Sequence, residues 1–326
     1  MRAGERHFRF LFPTDSGRWL SLLRIGLGLQ VVLYGLFLGQ DWNLVFGGPH
    51  HGLLGRDVGD AMTIVQSPFI PRLPWIISLL SRAGLSENVA LAVIWWSLVT
   101  VGGLMLLGLF CRPVAIATWF LQLACAKSGG LLSYGADNLI TIGLFYLTIA
   151  PFPDPWSVDR LLLHRTTSDP QLLGVHRRVL QLHLCLIYFF AGLTKCLGSD
   201  WWNGTNLWRS LTVPPFNVLP IHWLAAFGFL LPAAGIAICL LEVTYPFLIW
   251  WRPLRKAVLF AICAMHLGIA MMMGMVLFGA IMIILNLAAF WPDEQSIEPD
   301  SASATRRSPQ NTVSTLAAEK IAAEGI

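Results

Sequence analysis

The chain has 326 residues, 56% of them hydrophobic and only 12% charged. Soluble domains average about 25% charged residues, so this chain cannot coat a globule of its size with polar surface. The composition excludes a cytosolic enzyme, a disulfide-rich secreted module and a disordered chain. It also excludes an outer-membrane barrel, whose strands alternate polar and apolar residues in segments of about ten. The formal net charge of +4 reads as basic residues flanking membrane spans. No nucleic-acid motif occurs, and no nucleic-acid partner is expected.

What remains is an all-α protein, a polytopic transmembrane helical bundle with lipid as its immediate partner. A helix needs roughly 20 apolar residues to cross a bilayer. Apolar segments at 19–39, 89–110, 113–127, 136–150, 176–194, 223–249, 255–273 and 275–291 give about eight spans, the third and fourth short. The last two form one run, with a tight turn expected near Met273-Gly274. The first segment runs long, carries Arg24 in its core and lacks a small-residue cleavage pattern, so it reads as a retained span and not a signal peptide.

Eight spans place both termini on one side. The N-terminus, the even loops and the C-terminus carry 15 of the 22 Lys and Arg, and the odd loops carry 6. The positive-inside bias therefore puts both termini in the cytoplasm. The organisation reads as a cytoplasmic segment 1–18, a transmembrane domain 19–292 and a tail 293–326. The tail is rich in Ser, Ala, Glu and Pro and is expected to be disordered. Two long odd loops, 40–88 and 195–222, face outward. Their Trp, Pro, Gly, Asn and His content suits irregular or re-entrant structure.

Ionisable groups in a membrane are costly, and each is a candidate for function. Lys195 ends the fifth span in HLCLIYFFAGLTKCLGSDWWNG. It reads either as a snorkelling anchor or as a half-buried amine able to act as base or nucleophile. His266 in the seventh span and His183 in the fifth read either as packing histidines or as site residues. Glu242 closes the sixth span and reads as one half of an ion pair, with Arg24, Arg252 or Arg255 as the candidate partner. Asp137 and Asn138 open the fourth span, as a helix cap or as polar groups facing an outer cavity. Asp200, Trp201 and Trp202 follow Lys195 closely. The two Trp belong to an interfacial belt or roof a pocket for a flat ring. Cys111, Cys125, Cys185, Cys239 and Cys263 read as buried small hydrophobes, and Cys196 sits near the outer face. No Cys or His spacing suits a metal, and none is expected.

Several of these segments together resemble the membrane domain of vitamin K-dependent γ-glutamyl carboxylase and its bacterial relatives, the horizontally transferred transmembrane domain (HTTM) proteins. IYFFAGLTKCLGSDWWNG is similar to the carboxylase stretch in which a lysine follows Tyr-Phe-x-Ala-Gly and precedes Asp-Trp and Gly. PWSVDRLL at 155–162 and LLEVTYPFLIWWRPLRKAVLFAICAMHLGIAMMMGMVLF, with Glu242 and His266, carry the rest. The likeness runs over roughly 130–292, with the RIGLGL first span agreeing in outline. It implies a multi-pass protein of the bacterial plasma membrane with an outer-face cavity for a reduced, vitamin K-like quinone. Lys195 would be the base, Asn138 and His266 would bind the quinone oxygens, and Trp201 or Trp202 would stack on the ring. A secreted or membrane-bound peptide is the implied substrate. Two departures count against peptide carboxylation. Leu139 stands where the carboxylases carry a His after Asn, and the chain has a short polar tail where they carry a large lumenal domain. Three readings follow: a quinol-dependent membrane enzyme, a non-catalytic binding, maturation or immunity factor on the same scaffold, and, with less support, a transporter.

Overall fold

A computed structural model of the chain describes residues 10–48, 56–163 and 168–291. The expected disordered tail and the first nine residues lie outside them. Among the described residues no strand occurs, and every extended element is a helix. That is the outcome lipid demands, because a helix satisfies its own backbone donors and acceptors without water.

In chain order the helices are α1 (Arg18–Leu38), α2 (Trp42–Phe46), α3 (Arg56–Gln66), α4 (Leu73–Arg82) and α5 (Glu87–Leu107). Then come α6 (Cys111–Ser128), α7 (Gly135–Ile149), α8 (Val158–Leu163) and α9 (Pro170–Leu197). The last third contains α10 (Ser199–Trp202), α11 (Thr205–Thr212), α12 (Ile221–Ala226), α13 (Leu231–Leu248), α14 (Arg252–Met272) and α15 (Val276–Phe290).

Each of the eight apolar segments forms a helix. Five are long and apolar enough to cross a bilayer: α1, α5, α9, α14, and α13 taken with the short turn that precedes it. α7 and α15 are apolar but shorter. α6 keeps Thr118 and Gln122 fully buried, so its polar residues face its neighbours and dilute its apolar character. α14 and α15 are joined at Met273–Met275, where the tight turn was expected.

α9 starts six residues earlier than its apolar run. Asp169 accepts a hydrogen bond from the Gln171 amide and Pro170 occupies the first turn, a strong helix start. Its 28 residues span about 42 Å at 1.5 Å per residue, longer than the roughly 30 Å hydrocarbon layer. α9 therefore projects beyond the apolar layer.

α1 is the most buried of the five long helices. Leu20, Leu23, Leu27 and Val31 show no exposure, and the helix packs on α5, α15 and α7. The periphery is the reverse. Phe190, Phe247, Phe260 and Met271 are largely exposed, and apolar surface of that extent marks a face meeting lipid.

The two long loops were expected to be irregular or re-entrant; where described, they hold short helices. α4 begins at Leu73-Pro74, with proline in its first turn. Trp42 donates to the Leu91 carbonyl at 3.0 Å and pins α2 to α5. Arg72 pairs with Asp60 at 3.1 Å and lies over the Trp75 ring. In the second loop Asn203 accepts from the Thr205 amide at the start of α11. Pro and Asn here start helices, and both residue types do so as readily as they break them.

The expected partnership of Arg24 with Glu242 is corrected. Arg24 pairs with Asp154, and both side chains are fully buried. Its Nε donates to Asp154 at 2.7 Å and one Nη to Asp154 at 3.2 Å. The remaining donors go to the carbonyls of Met105, Leu106 and Trp156. Ser21 also donates to Asp154. This joint ties α1 to the α5–α6 turn and to the loop before α8. Gly108, in that turn, has φ +76°, and a Cβ there would stand 2.9 Å from the Arg24 guanidinium carbon. Only glycine fits both conditions.

Candidate functional site

The last turn of α9 and the middle of α13 bring Lys195 and Glu242 together. Lys195 Nζ donates to Glu242 Oε2 at 2.6 Å, with the side chains 22% and 6% exposed. The two helices can come this close because of Gly192, one turn before Lys195. A Cβ at Gly192 would stand 2.5 Å from the Val243 backbone nitrogen. Small residues at such crossings let membrane helices approach to backbone contact.

The loop after α9 closes over the pair. Lys195 Nζ lies 5.4 Å from the centre of the Trp201 ring, a cation–π distance. Trp202 donates its indole N–H to the Cys196 carbonyl at 2.8 Å and so satisfies one free carbonyl at the end of α9. Trp201 thus sits at the amine, while Trp202 braces the helix end and is itself exposed. Asp200 turns away and forms a loose, exposed contact with Arg209 at 3.4 Å.

A second polar cluster lies deeper. His266 of α14 is buried, and its Nε2 is 2.8 Å from the Tyr188 hydroxyl of α9. Asn286 of α15 donates to the Tyr188 oxygen at 2.6 Å and to the Met282 carbonyl at 2.8 Å. It accepts from the Tyr245 hydroxyl of α13 at 2.7 Å. Four helices thus meet in one hydrogen-bonded network. The other imidazole nitrogen, Nδ1, is buried and has no hydrogen-bond partner among the described residues.

The other sequence candidates fall elsewhere. Asp137 accepts from the Tyr134 amide at 2.9 Å in a capping box at the start of α7, which is the cap role. Asn138 is exposed on the outside of the bundle. His183 Nδ1 lies 2.8 Å from the Tyr146 hydroxyl, a contact between α9 and α7. Arg252 and Arg255 are not partners of Glu242; Arg255 donates to the Ile249 carbonyl. Among the described residues no group of three or more His, Cys, Asp or Glu could hold a metal. A shallow open groove runs along α5, lined by residues such as Val93, Trp96, Ser97 and Thr100, and none of the Lys195 ensemble contributes to it.

Sequence reasoning missed Tyr188, Tyr245, Asn286 and Asp154. Asn286 carried a usable signal, a lone amide in the apolar run IMIILNLAAF. Tyr188 stands inside the Lys195 motif, where an aromatic reads as ordinary packing.

The fold and this polar centre define a multi-pass helical membrane protein with a hydrogen-bonded polar cluster between its helices. Residues 133–293 match the family model described as the HTTM domain. That stretch contains Lys195, Glu242, Tyr188, His266 and Asn286, and by this domain the chain belongs to the HTTM family. Comparison with curated proteins and with solved structures yields no match.

Proposed function

We propose that the protein is a quinol-dependent membrane enzyme in which the Lys195–Glu242 pair is the acid–base centre. The observation that carries this is an amine held at 2.6 Å from a nearly buried carboxylate at the end of a membrane helix. In a medium of low dielectric an ion pair is weakly solvated. Proton transfer from Lys195 to Glu242 then gives a neutral amine and a neutral acid. The neutral amine would take a proton from the hydroxyl of a bound reduced, vitamin K-like quinone, and Trp201 and His266 would hold the ring and one of its oxygens. Bound reduced quinone would supply the electrons for O₂ chemistry. In this reading the chain spans the membrane eight times with both termini in the cytoplasm of a bacterium, and Lys195 lies toward the outer face. A secreted or membrane-bound peptide is the acceptor.

Lys195→Arg tests the proposal, because it keeps the charge and the pair but has no accessible neutral form. Quinone-dependent turnover should fall at least about 100-fold, the scale of a lost general base, while the protein remains monodisperse in detergent. Wild-type protein should carry a quinone visible by mass spectrometry of its co-purifying lipids. Full turnover in the Arg variant would sink the mechanism.

One observation favours a second reading, a non-catalytic binding, maturation or immunity factor. Lys195 is already satisfied by Glu242 and Trp201, as a structural lysine would be. Under that reading no quinone co-purifies, and Lys195→Arg behaves as wild type in every assay.

A further inference from the structure

The seam between α9 and α13 has a regular antiparallel register. Gly192 lies against Val243, Lys195 against Glu242, and the Trp201 carbonyl against Gly235. Rising numbers on the α9 side meet falling numbers on α13. Cys196 lies one turn beyond Gly192, and Cys239 one turn before Val243. The register therefore sets these two cysteines face to face across the seam. Both are free thiols; Cys239 is fully buried and Cys196 is half-buried at the helix end.

We infer that Cys196 and Cys239 form a thiol modification site, a dithiol that oxidises to a disulfide across the α9–α13 seam and clamps the turn carrying Lys195. A disulfide needs Cα atoms roughly 4.4–6.8 Å apart, which facing positions reach only where two helices pack closely. The backbone approach at Gly192, one turn away, supplies that closeness. The oxidant is a small or protein-borne disulfide. Cys196, the reachable thiol, loses its proton and its thiolate attacks one sulfur of the external disulfide, expelling a thiolate that takes up the proton. Cys239 then loses its proton and attacks the Cys196 sulfur of the mixed disulfide, expelling the second external thiolate, which is protonated in turn. Two protein thiols lose two electrons, and the external disulfide gains them and leaves as two thiols. The step needs no quinone, so its outcome is independent of the acid–base proposal.

The test is full-length protein in native membranes, exposed to oxidised glutathione, then denatured and labelled with N-ethylmaleimide for intact-mass measurement. The chain has six cysteines. Six adducts are expected after reduction and four after oxidation, with a proteolytic peptide linking α9 to α13. Cys196→Ser and Cys239→Ser should each give no internal cross-link. The inference is overturned if wild-type protein still takes six maleimides, retains glutathione on Cys196 as a stable mixed disulfide, or cross-links chain to chain instead.

Discussion

Two of the ion pairs among the described residues are built in opposite ways. Arg24–Asp154 is saturated: every guanidinium nitrogen has an acceptor, and both side chains have no exposure. Lys195–Glu242 is held through one contact and is partly open, with an unpartnered His266 Nδ1 in the neighbouring cluster. A charge that has spent all its hydrogen bonds on the protein can only hold the fold together. The less saturated, partly exposed pair is the one on which the acid–base proposal rests.

The largest effect should come from the saturated pair. Arg24→Met leaves Asp154 buried without its cation, and removing one partner of such a pair costs about 3–5 kcal/mol. Detergent-extracted protein should lose that much stability in thermal unfolding, or fail to accumulate. A loss below about 1 kcal/mol would break the contrast between the two pairs. Next comes Lys195→Met. Its side chain is 22% exposed, so the cost falls between the surface and buried limits, about 1–3 kcal/mol, while turnover is abolished. If it destabilised the protein more than Arg24→Met, Lys195 would be the structural member.

Gly192→Ala is comparable in stability but differs in kind. The added Cβ meets the Val243 nitrogen at 2.5 Å, and such overpacking costs about 1–3 kcal/mol. Because the helices must separate there, oxidation of Cys196 with Cys239 should also slow, read as delayed loss of maleimide adducts. The smallest effect belongs to the exposed Asp200–Arg209 contact. Asp200→Asn should change stability by less than about 0.5 kcal/mol and leave turnover intact; a large loss would place Asp200 in the site after all.

Much of the fold was legible. Segments such as 19–39 and 255–273 are apolar, long and begin beside basic residues, so their helical state follows from length and solvent alone. The start of α9 was missed because a cap and a proline, Asp169 and Pro170, extend a helix beyond its apolar run. The short helices of the two long loops were hidden because Pro and Asn signal both breaks and starts. At the site, Lys195, Glu242 and His266 stood out as polar groups among apolar ones. Tyr188, Tyr245 and Asn286 did not, since each is unremarkable until its partner on another helix is known.

The one-dimensional chain was enough to establish the helices, their apolar character and the scarcity of charge within them, because those depend on composition against lipid. Which charge answers which was decided by tertiary packing. Arg24 could have met Glu242 by sequence; it meets Asp154 because α1 lies against the α5–α6 turn, and Glu242 meets Lys195 because Gly192 draws α9 onto α13. Pairing energies act over a few ångströms, and only the packed bundle sets distances on that scale.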